Sequence, residues 1–293
     1  MTVEEWYEGY DDEEARLDGF SIEWLRTTHV LEHVLPPAPA RVADIAGGTG
    51  RYAAWLAGRG YTVDLLDLTP LHVRLAQERA EALGHGDGSG VPPQREVHTA
   101  GRGDGSGVPG GGRPRMTCVV GDARALPWAD ATFEAALIMG ALYHLQERAD
   151  RLACLAEAFR VLKPGGVLIT AHIGRWASLF DGYHRGMITD PAFRAIVDRD
   201  LATGNHDNPA MDPRWFTTAH FHTPAEVTDE LTEAGFVDAR VVAVEGFASH
   251  LEVPAWCHDG EGLARLLADL AATESEPALL GTSDHLLGLA RRP

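Results

Sequence analysis

From residue 41 onward the chain alternates short apolar runs with helix-patterned segments, and the first junction between them is a glycine loop, Gly47-Gly48-Thr49-Gly50. That pattern leaves few folds open. Neighbouring strands joined through helices must cross over and run the same way, so the alternation predicts a parallel sheet covered by helices on both faces. Arg41–Ala46 reads as the first strand and Arg51–Ala57 as the first helix, ended by Gly58 and Gly60. Tyr61–Leu66 is a second strand. Thr69 and Pro70 then supply an N-cap hydroxyl and a proline at the first helical position, opening a helix to about Leu83. Met116–Val120 and Phe133–Gly140 continue as strands. Glu147–Leu162 carries Leu152, Leu155, Ala156, Phe159 and Leu162 at helical spacing, and Lys163–Gly166 turns into the strand Val167–Ala171. Thr223-Pro224 opens another helix ending at Gly235, followed by strand Ala239–Val244, helix 260–272 and strand His285–Ala290.

The remaining segments fall outside this rhythm. Residues 1–40 read as an N-terminal helical segment stopped by Pro36, Pro37 and Pro39. The alternating core spans 41–171, interrupted at 84–113 by a stretch rich in glycine and proline that contains Gly-Asp-Gly-Ser-Gly-Val-Pro twice, at 86–92 and 103–109. Such a composition offers little apolar surface to offset ordering entropy, so a flexible surface insertion is expected there. Residues 172–222 lose strand signals and are rich in aromatics and histidines, which predicts a cap over the sheet. Residues 223–293 complete the sheet, with a second insertion at 247–282.

Composition excludes several classes of function. The 293 residues carry a formal net charge of −18, and their Lys and Arg residues form no cluster, which argues against a nucleic-acid partner. No apolar stretch approaches the length of a membrane span. Met1–Asp12 is acidic and polar, unlike a secretion signal. Three cysteines, Cys118, Cys154 and Cys257, show no metal spacing, so no metal is expected and a reducing cytoplasm is the expected setting. A homodimer is left open.

A glycine loop between strand and helix directs backbone N–H groups at an anionic ligand group. Gly48-x-Gly50-x-x-Ala53 satisfies a dinucleotide fingerprint, and Asp67, at the tip of the second strand, is placed to accept ribose hydroxyls of either NAD or S-adenosylmethionine. Asp44 separates the two. A carboxylate inside the first strand needs a partner and suits a cationic ligand end, whereas it would repel a pyrophosphate. A carboxylate satisfied by loop N–H groups is the structural alternative.

Asp44-Ile45-Ala46-Gly47-Gly48-Thr49-Gly50 resembles the acidic and glycine motif of class I S-adenosylmethionine-dependent methyltransferases. Leu65-Leu66-Asp67-Leu68-Thr69 looks like that family's ribose-binding motif, and Gly121–Pro127 resembles the motif whose aspartate, here Asp122, contacts the adenine amino group. Arg160–Gly166 is similar to the turn before its fifth strand. The four motifs occur in family order over roughly 41–172. The flanks, including Trp6-Tyr7 and Ala141–Leu145, resemble an actinobacterial-type branch of unknown substrate. Two positions depart from the pattern: Ala46 replaces a frequent glycine, and Glu134 replaces an aspartate. The resemblance implies a doubly wound, mostly parallel, seven-stranded Rossmann-like methyltransferase sheet with N-terminal helices and cap insertions, binding S-adenosyl-L-methionine. The residues it assigns to the cofactor are Tyr7, Arg26, Asp44, Ala46, Gly48, Gly50, Asp67, Leu68, Asp122, Ala123 and Met139. Arg26 is expected as a carboxylate clamp, or else as a surface partner of Glu23.

In such a fold the chemistry sits at the carboxyl ends of the strands. Tyr143 and His144 follow the fourth strand, and His144 is the first candidate for a general base; a loop-fixing bond to a backbone carbonyl is its alternative. His220, paired by spacing with His222, and His172 are further candidates, although a histidine pair of this spacing is more often surface. His206 and Asp207 are expected to be solvated. Trp176, Tyr183, Trp215 and Phe216 line an acceptor pocket or form the core of the cap. The expected function is methyl transfer to a small molecule in secondary metabolism. The alternatives are the same fold repurposed for cyclisation, elimination or a pericyclic reaction, and a non-catalytic partner-binding protein.

Overall fold

The computed structural model describes residues 22–85, 115–209, 212 and 214–293. Tyr7 and all but the first two residues of the 84–113 insertion lie outside the described residues. Helix α1 (Ile22–Val34) precedes β1 (Arg41–Ile45), α2 (Arg51–Ala57), β2 (Thr62–Asp67), α3 (Pro70–His85) and β3 (Arg115–Val120). Then follow β4 (Phe133–Ile138), the short α4 (Ala141–His144), α5 (Arg148–Val161) and β5 (Leu162–Gly174). The cap contributes α6 (Ala177–His184), α7 (Pro191–Thr203), β6 (Asn205–His206) and β7 (Ala219–His222). The chain closes with α8 (Pro224–Glu233), β8 (Val237–Ala243), α9 (Gly260–Thr273) and β9 (His285–Arg291).

Seven strands run in the order β3-β2-β1-β4-β5-β9-β8, and two more, β7 and β6, branch from the end of β5. All neighbours from β3 to β5 are parallel, and β9 alone runs against them, between β5 and β8. The strand order therefore reverses between β1 and β4, which opens a crevice at their carboxyl ends. The strands between are buried on both faces: Val42, Ala43 and Ile45 in β1 and Ala135–Ile138 in β4 are fully enclosed. This explains why they read as continuous apolar runs.

Two expectations are corrected. The Lys163–Gly166 segment is part of β5: pairing with β4 shifts from Phe133↔Leu162 to Ala135↔Val167, so the glycines form an irregularity inside one long strand. The 172–222 segment does contain strands. All four residues of β7 are buried, pairing with the end of β5 on one side and β6 on the other; Ala219-His220-Phe221-His222 alternates as a strand does, but its polar positions are buried histidines rather than solvent-facing side chains. His220 and His222 are accordingly interior, and His206 is buried too, with Nδ1 2.8 Å from Asp200 Oδ2. Asp207 stays partly exposed, paired with Arg199.

The cap has a core of its own, in which Trp215 packs on Phe193 with ring centroids 5.6 Å apart. Tyr183 is exposed, and Phe216 turns toward Tyr143 and His144. α8 starts with Thr223 and Glu226 in a reciprocal capping box and Pro224 in the first turn.

A buried ion pair joins this helix to α5. Arg151 Nη2 lies 2.7 Å from Glu230 Oε1, and Arg151 Nη1 also donates to the carbonyls of Leu145 and Gln146, just beyond α4. Removing one partner strands the other charge in the interior, so Glu230→Ala is expected to lower unfolding stability by about 3–5 kcal/mol in denaturant melts. A loss below about 1 kcal/mol would show that water reaches Arg151.

Candidate functional site

The crevice at the strand reversal is a cavity of about 380 Å³, floored by the loops after β1, β2, β3 and β4. That size falls in the roughly 300–1,000 Å³ range of small-molecule sites. The loop after β1 turns through three residues at positive φ: Ala46 at +57°, Gly48 at +56° and Gly50 at +80°. Gly48 and Gly50 take this conformation at little cost, and Ala46 carries the strain that glycine would avoid. Gly47 is small for a different reason. A Cβ there would lie 2.6 Å from Asp44 Oδ2 and 2.7 Å from Leu65.

Asp67 ties the floor together. Its Oδ2 accepts the Gly48 N–H at 2.9 Å, its Oδ1 accepts the Thr69 N–H at 2.9 Å, and His72 Nδ1 stands 3.3 Å from Oδ1. The carboxylate therefore pins the β1 loop to the β2 loop, and Oδ2 keeps acceptor capacity on the cavity side.

Of the residues expected at a cofactor, Ala46, Gly48, Asp67, Leu68, Asp122, Ala123 and Met139 line the cavity. Asp122 is held by Arg124, whose Nη2 lies 2.7 Å from Oδ2. Gly50 shapes the loop from just outside the wall. Asp44 is fully buried below Gly47 rather than in the wall, and burial, with Asp67 nearby, pushes its carboxyl up to about 7. Arg26 is not in the wall either. It is 1% exposed, its guanidinium is paired with Glu274 of the 247–282 insertion, and neither the clamp nor the Glu23 pair expected of it forms.

Tyr143 and His144 do line the cavity. The Tyr143 hydroxyl donates to Met139 O at 3.2 Å, and His144 Nδ1 faces Thr218 O at 3.4 Å. A carbonyl only accepts, so Nδ1 carries the proton and Nε2 presents a lone pair. The loop-fixing bond thus forms at Nδ1, and a base would have to act through Nε2. Burial lowers the His144 pKa to about 4.

His220 is not brought to the cavity. Its Nδ1 lies 2.7 Å from Asn205 Oδ1, and its ring stands 4.6 Å from that of His222, which in turn is 4.4 Å from His172. Burial holds all three imidazoles below their usual range, making them neutral interior groups at physiological pH. Pairing of β7 with β5 draws them under the cap, away from the crevice.

Sequence reading missed Glu23, Trp24, Arg51, Tyr52 and His72, all in the cavity wall. Arg51 directly follows the glycine loop and His72 begins a helix at a strand end, positions that could have marked both. Nothing local marks Glu23 and Trp24, because α1 reaches the crevice only through tertiary packing.

Residues 43–170 match the "Methyltransferase domain" family. The match agrees with the class I resemblance of the four motifs and identifies no branch within it. Among curated proteins, this chain is 32% identical over 142 residues to the "Ubiquinone/menaquinone biosynthesis C-methyltransferase UbiE" of Dinoroseobacter shibae, covering 48% of this chain and 45% of that protein. The chain thus spans about half the length of the curated relatives it matches. A SAM-dependent methyltransferase from Methanosarcina mazei shares the fold at 20% identity over 89% of this chain and 94% of its own, with a TM-score of 0.52. The (4+2)-cyclase SpnF does so at 18% identity over 92% and 81%, with a TM-score of 0.51. No described helix is long and apolar enough to cross a membrane.

The geometry around His144 generates a test of its own. In a pH titration followed by NMR, its imidazole is expected to stay neutral from pH 8 to below 5, with a midpoint near 4. A midpoint near 6.5 would show a solvated ring.

Proposed function

We propose that the cavity binds S-adenosyl-L-methionine and that the chain transfers its methyl group to a small-molecule acceptor in the cytoplasm. The observation that carries this reading is Asp67, a carboxylate at the tip of β2 with acceptor capacity directed into the crevice at the strand reversal. Charge-assisted bonds from two ribose hydroxyls suit it. Asp122 and Ala123, on the β3 side of the same cavity, take the adenine end in this reading, and the Ala46–Gly48 loop faces the methionine end. The fit is one of charge and shape: a cavity with carboxylates on its floor, and a loop where Gly47 leaves no room for a side chain. A pyrophosphate on the glycine loop would lie above the buried Asp44 carboxyl beneath Gly47, which disfavours NAD.

Bound there, the cofactor supplies an electrophilic methyl group. The work of this chain is to position the acceptor and remove a proton. With Nδ1–H directed to Thr218 O, Nε2 is the His144 nitrogen that would take the proton in this reading. An imidazole of pKa about 4 is a weak base toward a free alcohol or amine. It is adequate for an acceptor atom that becomes strongly acidic as it takes on the methyl group, whether oxygen or an electron-rich ring carbon. The name of the UbiE relatives makes a carbon acceptor one candidate. Secondary metabolism is the setting we favour.

Calorimetry tests the cofactor. S-adenosylmethionine is expected to bind and NAD not to, and Asp67→Ala should weaken the former by about 2–4 kcal/mol. Equal affinity in the variant would remove Asp67 from the site. Turnover tests the base. His144→Asn should keep cofactor affinity and lose about 10²–10⁴-fold in rate. Because the lowered pKa keeps His144 neutral, the wild-type rate should be flat through pH 6 and fall only as pH drops toward 4. Normal turnover in the variant would make His144 a loop residue. Conversion of substrate without methyl transfer would favour repurposed chemistry, as in the cyclase of similar fold.

A further inference from the structure

His206 of β6 and Asp200 of α7 are both buried away from the cavity, and no step of the proposed reaction uses them. His206 Nδ1 lies 2.8 Å from Asp200 Oδ2, and Nε2 lies 3.3 Å from Phe216 O. A carboxylate and a carbonyl both accept, so each ring nitrogen donates and the imidazole ties α7 to the loop before β7. We propose that His206, backed by Asp200, is a positioning residue: it holds the Thr218 carbonyl where that carbonyl selects the Nδ1–H form of His144. The inference rests on the reading of His144 as the base.

Thr218 sits between two anchor points, and His206 grips both. Its side chain donates to Phe216 O on one side, and on the other its backbone pairs with Ala219 across β6 and β7. Gln146, just beyond α4, strengthens the second grip, since its Nε2 donates to His206 O at 3.0 Å and to Ala219 O at 3.3 Å. The His206 ring is itself seated on Phe221, with centroids 4.8 Å apart and planes 17° from parallel. Between the anchors, Thr218 O faces His144 Nδ1 at 3.4 Å, and the Phe216 ring stacks on the His144 ring at 5.8 Å. The carbonyl and the ring that meet His144 thus come from one short segment with a bond to His206 at each end.

A neutral imidazole has two tautomers, and its surroundings choose between them. If Thr218 O moves away, His144 gains access to the Nε2–H form, which occupies the lone pair that a base needs. A pair that only staples the cap together would affect folding and leave this choice untouched. The two roles separate when the pair is exchanged for apolar residues of similar size. Asp200→Leu with His206→Phe strands no charge, and such exchanges are often neutral or stabilising, yet it removes the donor to Phe216 O. Asp200→Asn keeps that donor, because its amide can donate to Nδ1 while Nε2–H stays on Phe216 O.

The readout is the nitrogen-15 NMR signature of His144 at neutral pH in the full chain, which reports the tautomer directly. Wild type and Asp200→Asn are expected to show the Nδ1–H form. The leucine–phenylalanine double variant should melt like wild type and shift the tautomer ratio about 10-fold toward Nε2–H, the effect of one lost hydrogen bond. Should that variant melt early, Asp200→Leu with His206→Met, a more adaptable side chain, takes its place. A wild-type ratio in a double variant of wild-type stability overturns the positioning role, as does an Nε2–H His144 in the wild type. Failure of the base reading registers separately, as normal turnover in His144→Asn while the tautomer response to the double variant persists.

Discussion

The carboxylate of Asp67 is where the sheet and the site meet. Parallel strands end in loops with unpaired N–H groups, and here two of those groups, from Gly48 and Thr69, converge on a single side chain. Without that convergence the loop after β1 would have no fixed height above the sheet, since its own backbone passes through left-handed conformations at Ala46, Gly48 and Gly50. Asp67 can do this because β2 pairs with β1 in a register that sets Leu66 beside Ile45, one residue before each loop begins. The register of two strands, fixed by buried Val, Leu and Ile side chains, thereby becomes the geometry of a ligand floor.

Much of this geometry is legible in the amino-acid sequence. Strand–loop–helix punctuation at Gly47–Gly50, Thr69-Pro70 and Gly121-Asp122 is local, and local signals carry the core, its order of motifs and the floor of the cavity. What they do not carry is long-range. β7 escapes notice because its alternating histidines are buried rather than facing solvent, and with it goes the placement of His220, His222 and His206. Arg26 is assigned to the ligand from chain position alone. The folded chain satisfies it with Glu274, nearly 250 residues away in sequence. Glu23 and Trp24 are missed for the same reason in reverse: their role depends on where α1 packs, which no short pattern records.

Charge in this strongly acidic chain is managed by confinement. Buried Arg151, Arg26 and Arg175 each have an assigned carboxylate, respectively Glu230, Glu274 and Glu226. These pairs do more than cancel charge. Arg151 also binds the carbonyls of Leu145 and Gln146, so the α5–α8 pair fixes the segment that follows Tyr143 and His144. A charge pair buried between α5 and α8 thus helps to fix the segment that follows an imidazole of the cavity wall.

That position has a chemical consequence. The cap that supplies Thr218 to orient His144 and Phe216 to stack on it at 5.8 Å also covers much of the ring, and that desolvation lowers its basicity. Orientation and low basicity therefore have one origin. A more solvated His144 would be a stronger base but would lose the carbonyl that selects its tautomer. The arrangement favours a fixed lone pair over proton affinity, and it suits a reaction in which the acceptor's proton is made acidic by methylation itself. On the proposed reading, placement of the acceptor against the methyl group is then the larger part of the catalytic task.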